Sequence, residues 1–436
     1  MVAETFNMNE GSQQLDFFKR FYGPISDNLF NAMNVLHGRI RRDFNNFVGD
    51  EYRPANRLSF QGGFGAGRLP RAGGKRAKQA VVKTKKLYQR VSLDRESIKA
   101  SMGDKGAFVR ATKESIRGAV ESYTRNCSRI LFGDGTGILG RSNATAATGT
   151  GTAADPFVVR IAKAGVAPAP DANFEEEDLI QLVNGLNATD NEGGVMNNQL
   201  LRVHRVDARN AAYLEVQLVA TDDTGAGAAA NPLAAGALPT TAGFCMQGSY
   251  MNEPMGLRSA VEHGNTGSLY GIDIQRRWSS YQNDTGGALN FNGIRESVLD
   301  IHKRFGKVGR IIVTSYEQYN NLLEVLGENS KRYEIKARTM KSKTLQAKTS
   351  FTGISLMTEA GEVGIFFERF CPADRLYILN DDFIKVPTRP GHGWFNDDGR
   401  ILLREQDSDS YEGRYGGYWN NYIVPTAHGV MTGLTL

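Results

Sequence analysis

Cysteine is scarce. The chain has three, Cys127, Cys245 and Cys371, far apart and with no Cys-x-x-Cys pair. The six histidines (His37, His204, His263, His302, His392, His428) are scattered, and none forms a His-Glu-x-x-His pair. A structural zinc site is excluded by that spacing, and the three thiols read as reduced and mostly buried. The alternative for Cys127, Cys245 and Cys371 is a disulfide between chains, formed outside a reducing cytosol. No run of about 18 apolar residues occurs, so no segment reads as a membrane-spanning helix. The opening MVAETFNMNEGSQQ has neither a basic start nor an apolar centre, and reads as no secretory signal.

Catalytic signatures are missing too. There is no Gly-x-Ser-x-Gly elbow. The glycine cluster Gly62–Gly67 opens no helix with dinucleotide spacing, and Gly73-Gly74-Lys75 continues with Arg76 rather than Ser or Thr. The acidic pairs Asp222–Asp223, Asp381–Asp382, Asp397–Asp398 and Asp407/Asp409 sit in turn-rich contexts and read as solvated turns. No cofactor, metal or catalytic residue is expected, and the chain is not read as an enzyme.

What is present is a 436-residue chain, 40% hydrophobic and 23% charged, which is globular in composition. At about 100–200 residues per domain it holds two or three units. Its net charge of +5 hides an asymmetry. Arg68, Arg71, Lys75, Arg76, Lys78, Lys83, Lys85, Lys86, Arg90 and Arg95 fall in one 28-residue window with a single acid, Asp94. That window carries +9 and the rest −4. Such a basic arm on an acidic body calls for a partner of opposite sign. It is nucleic acid, or acids on another copy such as Glu175–Glu177, Asp178, Asp397, Asp398, Glu405, Asp407 and Asp409.

Periodicity gives the organisation. Residues 1–50 read as an arm with helical pieces, apolar at Leu15, Phe18, Phe21, Leu29, Met33, Leu36, Ile40, Phe44 and Phe47. Residues 51–97 read as an extended basic β-hairpin loop, in which Glu51–Phe60 opposes residues 79–94. A loop of that length is functional or ordered by a partner. Residues 106–132 predict a long amphipathic helix, with Phe108, Thr112, Ile116, Val120, Tyr123, Cys127 and Ile130 on one face and Arg117–Glu121–Arg125 pairs on the other. Gly133 ends it. A strand at 156–162, a helix at 175–186 and a hairpin from 200–206 and 211–219 follow. The Ala/Gly-rich stretches 142–172 and 220–243 read as insertions or loops. Helices at 291–306 (capped near Asn292, closed by Gly306) and 316–327 (Ser315–Gln318 capping box, stopped by Gly327) flank a strand at 309–315. Further strands run to the C-terminus. Helices in runs beside antiparallel strands make the fold class α+β.

The order of elements is similar to the major capsid protein of tailed phages, the Hong Kong 97-like capsid fold. KGAFVRATKESIRGAVESYTRNCSRILFGDGTGIL (105–139) resembles its spine helix and glycine-rich exit. MNEPMGLRSAVEHG (251–264) and LYGIDIQRRW (269–278) resemble the entry to its axial domain. FCPADRLYILNDDFIKV (370–386) and YWNNYIVPTAHGVMTGLTL (418–436) resemble later strands. The resemblance implies an N-terminal arm (1–50), the extended loop (51–97), a peripheral domain with the spine helix (98–175), an axial domain with inserted loops (176–394) and peripheral return strands (395–436). It implies pentamers and hexamers closing into an icosahedral phage head around double-stranded DNA, assembled in a host cytoplasm with portal and scaffolding proteins and decoration proteins. Arg68, Arg71, Lys75, Arg76, Lys78, Lys83, Lys85, Lys86 and Arg90 then become intersubunit contacts. Other readings remain open: a nucleic-acid-binding protein using residues 68–95, a bacterial nanocompartment shell protein of the same fold, or an enzyme with a site within 250–400.

Overall fold

The computed structural model describes residues 36–435 apart from 37–38, 46, 60–75, 95–104, 144–146, 165–169, 184–199, 211, 221–241, 264–266, 307–308, 329–337, 340–351, 390–391, 397–400 and 405–408. The expected arm residues Leu15 to Met33 therefore lie outside it. Leu36 and Ile40 are buried, but from residue 41 the chain is extended, not helical. Strands β1 (Arg41–Asp43), β2 (Phe47–Val48), β3 (Glu51–Tyr52), β4 (Ala55–Ser59), β5 (Arg76–Gln79), β6 (Val82–Lys83) and β7 (Lys85–Asp94) lead into helix α1 (Lys105–Phe132).

Helix α1 follows its predicted face where its side chains are described. Ile116, Val120, Tyr123, Cys127 and Ile130 are buried, while Arg117 is exposed and pairs with Glu121 at 2.8 Å. The last turn is buried all round, so the helix ends inside the molecule. Arg125 does not continue the surface ladder. It turns to Asp178, at 2.9 Å, and to Glu175.

The next strands are β8 (Ile138–Arg141), β9 (Phe157–Ala162), β10 (Leu179–Val183), β11 (Leu201–Asp207), β12 (Tyr213–Ala220) and β13 (Gly243–Met246). They pair antiparallel in the order β8-β13-β10-β11-β12-β9. Ser142, just past β8, bridges Ile161, and the Asn143 amide donates to the Arg160 carbonyl at 3.1 Å. The order thus returns to its start as a six-stranded barrel, which removes free edges. Alternation fills it: Phe157, Val159 and Ile161 from one strand, and Leu214, Val216 and Leu218 from another, all point inward. Residues on both sides of the expected 175/176 boundary share this barrel. The helix expected at 175–186 is a turn followed by β10. Its Leu179, Ile180, Leu182 and Val183 serve a strand, and the acids before them pair with arginines rather than cap a helix.

Beyond the barrel come α2 (Leu257–Val261), a hairpin of β14 (Ser268–Leu269) and β15 (Ile272–Asp273), β16 (Tyr281–Asn283) and α3 (Phe291–Phe305). Asn290, two residues before the predicted cap, accepts from the Gly293 amide at 2.7 Å, and Gly306 closes α3 in the left-handed region. Strand β17 (Ile311–Thr314) leads to α4 (Tyr316–Glu328), where the Gln318 amide donates to Ser315 Oγ as half of the expected capping box, while the Gln318 side chain donates to the Thr435 carbonyl instead of turning back. Gly327 does not stop α4, which runs one residue past it. Then come β18 (Arg338–Thr339), β19 (Thr352–Thr358), β20 (Gly361–Phe367), β21 (Leu376–Leu379), β22 (Ile384–Pro387), β23 (Gly393–Trp394), β24 (Leu402–Arg404), β25 (Ser410–Trp419), β26 (Tyr422–Ile423) and β27 (Gly429–Met431).

A seven-stranded mixed sheet, β16-β27-β21-β17-β20-β19-β18, carries α3 on one face. Phe291, Ile294, Val298 and Ile301, spaced three and four apart, bury against Ile365, Ile378 and Met431. Another core gathers α1, α2 and the chain termini of the described fold: Leu36, Tyr52, Tyr123, Ile130, Leu257, Trp278, Trp419 and Tyr422. Parallel and antiparallel pairing beside packed helices is α+β, as the sequence predicts.

Candidate functional site

The basic segment was expected to form one hairpin closed on residues 51–60. Its first half does. Strand β4 pairs β5 (Ala55 opposite Gln79, Arg57 opposite Ala77), and β3 pairs β6 (Tyr52 opposite Val82). Its second half does not. Strand β7 runs antiparallel to β25 for ten residues, from Lys85 opposite Trp419 to Asp94 opposite Ser410. One end of the basic loop is therefore welded to a strand more than 300 residues away in sequence, with β23 and β24 on the far side of β25.

That pairing is possible because β25, SYEGRYGGYW, is built for close approach. A Cβ on Gly416 would come within 2.3 Å of the Leu87 carbonyl oxygen and 2.7 Å of Tyr88 Cα. Tyr415, on the opposite parity of β25 from Gly416, reaches toward α1. Tyr415 and Tyr123 meet edge to face at 5.1 Å, and Trp394 meets Tyr415 at 5.3 Å. The Tyr123 hydroxyl lies 2.7 Å from His392 Nδ1, and the His392 ring packs on Trp419 at 5.8 Å. Burial pushes the Tyr123 phenol well up, so it stays protonated.

The basic residues divide by position. Arg68, Arg71 and Lys75 lie outside the described residues, and Arg76 is placed only as a backbone position in β5. Five others have partners in their own chain. Lys78 Nζ donates to Asp273 Oδ2 at 2.8 Å, and this hydrogen bond holds the Asp273 carboxyl below its ordinary value. Lys83 Nζ stands 3.8 Å from Glu51. Lys85 Nζ donates to the Met251 carbonyl at 2.9 Å, and Lys86 Nζ sits 5.8 Å from the centre of the Tyr418 ring. Arg90 and Arg414 both donate to Glu412, at 2.7 and 2.6 Å. Burial alone would raise the Glu412 carboxyl; the hydrogen bonds from Arg414 and Arg90 outweigh it and hold the group low. Pairs whose basic member is exposed, as in each of these, stabilise by about 0–1 kcal/mol. The loop is held by its backbone ladders more than by its charges.

The acids offered as partners on another copy are also engaged. Asp178 and Glu175 meet Arg125, Glu175 lies 3.8 Å from Arg369, and Glu177 pairs with Arg202 at 3.1 Å. Arg404 lies 3.8 Å from Asp409, while Asp397, Asp398, Glu405 and Asp407 lie outside the described residues.

Around the stem, polar side chains fix the loop to the body. Asn420 Nδ2 donates to the Lys83 carbonyl at 2.6 Å, and Asn420 Oδ1 accepts from the Met255 amide at 2.9 Å. The Tyr422 hydroxyl donates to Asn56 Oδ1 at 2.7 Å. Sequence reasoning missed this seam. Its only signal was the residue pair Asn420-Asn421 between aromatic strands, and periodicity does not weigh that. All three thiols are buried and unpaired. Burial pushes Cys245 up to about 12 and Cys127 and Cys371 up as well, which keeps them protonated and inert. No described helix is long and apolar enough to cross a membrane, and the described residues hold no cluster of metal-ligating side chains.

No family model matches the chain, and no curated protein matches it in sequence. Among solved structures it is similar to a chain of the capsid asymmetric unit of cyanophage A-1(L), at 12% identity and a TM-score of 0.48, over 94% of this chain and 93% of that one. It is similar to a chain of the capsid of an empty GTA particle, at 9% identity and a TM-score of 0.41, over 93% and 90%. It is similar also to a chain of the capsid of Myoviridae phage XM1, at 10% identity and a TM-score of 0.39, over 92% of each.

Proposed function

We propose that this chain is a shell subunit, the major capsid protein of a tailed phage with a Hong Kong 97-like fold, and that its role is structural rather than catalytic. The observation that carries the reading is the anchoring of the basic loop. One flank, β7, is fixed along β25 and braced by α1, while the other flank continues as β4–β5, a two-stranded ladder that belongs to no larger sheet among the described residues. A lone two-stranded ladder is marginal in water. It gains stability by lying on another surface, and a second copy of the chain supplies one in a ring closed by repeated heterologous contacts. The element order resembling the family, with the spine helix at 105–132, supports the same reading.

In this reading Arg68, Arg71 and Lys75 reach the neighbouring subunit, together with whichever of Arg76, Lys78, Lys83, Lys85, Lys86 and Arg90 exchange their own-chain partners on assembly. Pentamers and hexamers form the head in a host cytoplasm, with portal, scaffolding and decoration proteins as partners and double-stranded DNA packaged without sequence preference. The domain divisions at 50, 97, 175 and 394 belong to this proposal, the one at 175 running through the barrel rather than around it. So does any pairing of Cys127, Cys245 or Cys371 between chains, which requires the fold to open first.

The test is expression of the chain with and without its scaffold, followed by negative-stain imaging. Rings, tubes or shells are expected; only small discrete oligomers would remove the reading. Reversing Arg68, Arg71 and Lys75 to Glu should abolish shells while the unassembled chain melts as before. This triple is cleaner than Lys83, Lys85 and Lys86, which contact their own chain. Normal shells from it would exclude the tip charges as the clamp.

A further inference from the structure

The hairpin β14–β15 turns on two residues, Tyr270 and Gly271, with φ of 54° and 75°. Positive φ at both centres is the signature of a type I′ turn, whose first position favours Asn, Asp or Gly. A tyrosine there is strained, because its Cβ crowds its own backbone. The side chain is nonetheless buried, 6% exposed, and both the carbonyl and the hydroxyl of the residue are used. The Tyr270 carbonyl accepts from the Val81 amide at 3.0 Å, between β5 and β6. The Tyr270 hydroxyl donates to the Asn421 carbonyl at 3.0 Å and accepts from the Ile423 amide at 3.3 Å. The ring packs on Tyr422 at 5.6 Å. Three residues further on, Asp273 receives Lys78 from β5.

We propose that the Tyr270–Gly271 turn is a loaded latch, in which Tyr270 is the positioning residue that holds the stem of the basic loop to β26 and sets the loop's direction. The backbone strain persists only because ring and hydroxyl are seated. Pulling the stem away loses the Val81 bond on one side and leaves the turn free to relax, so the seated and released positions are two discrete arrangements. The Val81 amide and the Lys78 ammonium both bond the stem to this hairpin.

The test uses the unassembled full-length chain, so its outcome is independent of shell formation. Tyr270→Asn suits the turn and removes ring and hydroxyl; Tyr270→Phe keeps the ring alone. Amide exchange is followed over residues 76–83 and, as an internal reference, over β12 in the barrel. Tyr270→Asn should speed exchange at 76–83 about tenfold with β12 unchanged, and Tyr270→Phe about two- to threefold. A general loss of stability would instead speed both regions together. Unchanged exchange at 76–83 in Tyr270→Asn, or equal acceleration in β12, would overturn the proposal. If Tyr270→Asn does not fold, Tyr270→Phe decides alone, since wild-type exchange at 76–83 in that variant also overturns it.

Discussion

The barrel and the β7–β25 ladder are both antiparallel sheet, yet they are closed in opposite ways. Every barrel strand lies within residues 138–246, and their alternating side chains, joined by Phe174, fill its interior. The ladder joins residues 85–94 to 410–419, and its buried Tyr415 packs on a helix rather than on another sheet. The barrel satisfies itself. The ladder is stable only if the two ends of the chain and α1 are already in place. One region is a local solution and the other a long-range closure, and they should fail independently.

Deleting the ring of Phe157, fully buried in the barrel, breaks the local solution. Phe157→Ala should lower stability by about 3–5 kcal/mol. Exchange should rise across β9 and β12 while the β7 amides stay protected; loss of protection in β7 to the same degree would show that the regions are one cooperative unit. Gly416→Val attacks the closure. With Leu87 and Tyr88 backbone atoms in the way, about 3 kcal/mol or more of overpacking is expected. Near-ultraviolet dichroism from Tyr415 and Trp419 should collapse before the barrel opens.

The smallest effect lies where the seven-stranded sheet borders the barrel. Glu368 is half-buried with no described donor, and burial pushes its carboxyl up to about 7. Its neighbour Arg369 reaches Glu175 at the barrel's edge. A raised carboxyl binds its proton better folded than unfolded. Its contribution is therefore complete below the ordinary value of 4.5 and disappears as pH climbs toward 7. Melting temperature should fall by a few degrees from pH 5 to pH 8, and Glu368→Gln should flatten that slope; an unchanged slope would assign it elsewhere.

What the sequence made visible follows the same division. Strands β9, β11 and β12, with α1, α3 and α4, announce themselves by spacing, because each buries one face of its own local pattern. Strand β25 does not. Three polar residues, three glycines and aromatics on both parities carry no period of two, and its fit to β7 depends on backbone approach at Gly416. The segment 175–186 misled for a related reason. A run of acids before Leu179 reads as a helix start, but those acids answer Arg125, Arg202 and Arg369, which no local window contains. The basic residues were visible as a cluster, and their own-chain partners were not, since Glu412 and Asp273 lie hundreds of residues away.

The ten-residue ladder also imposes a schedule. Synthesis at about 5–20 residues per second leaves β7 without β25 for roughly fifteen seconds to a minute. The barrel is complete at Met246 and can close meanwhile. Nascent chains halted short of residue 410 should therefore carry a finished barrel and an open basic strand. Vectorial translation keeps the element that fixes the loop until last, so a chain acquires its anchored arm only after most of its body exists.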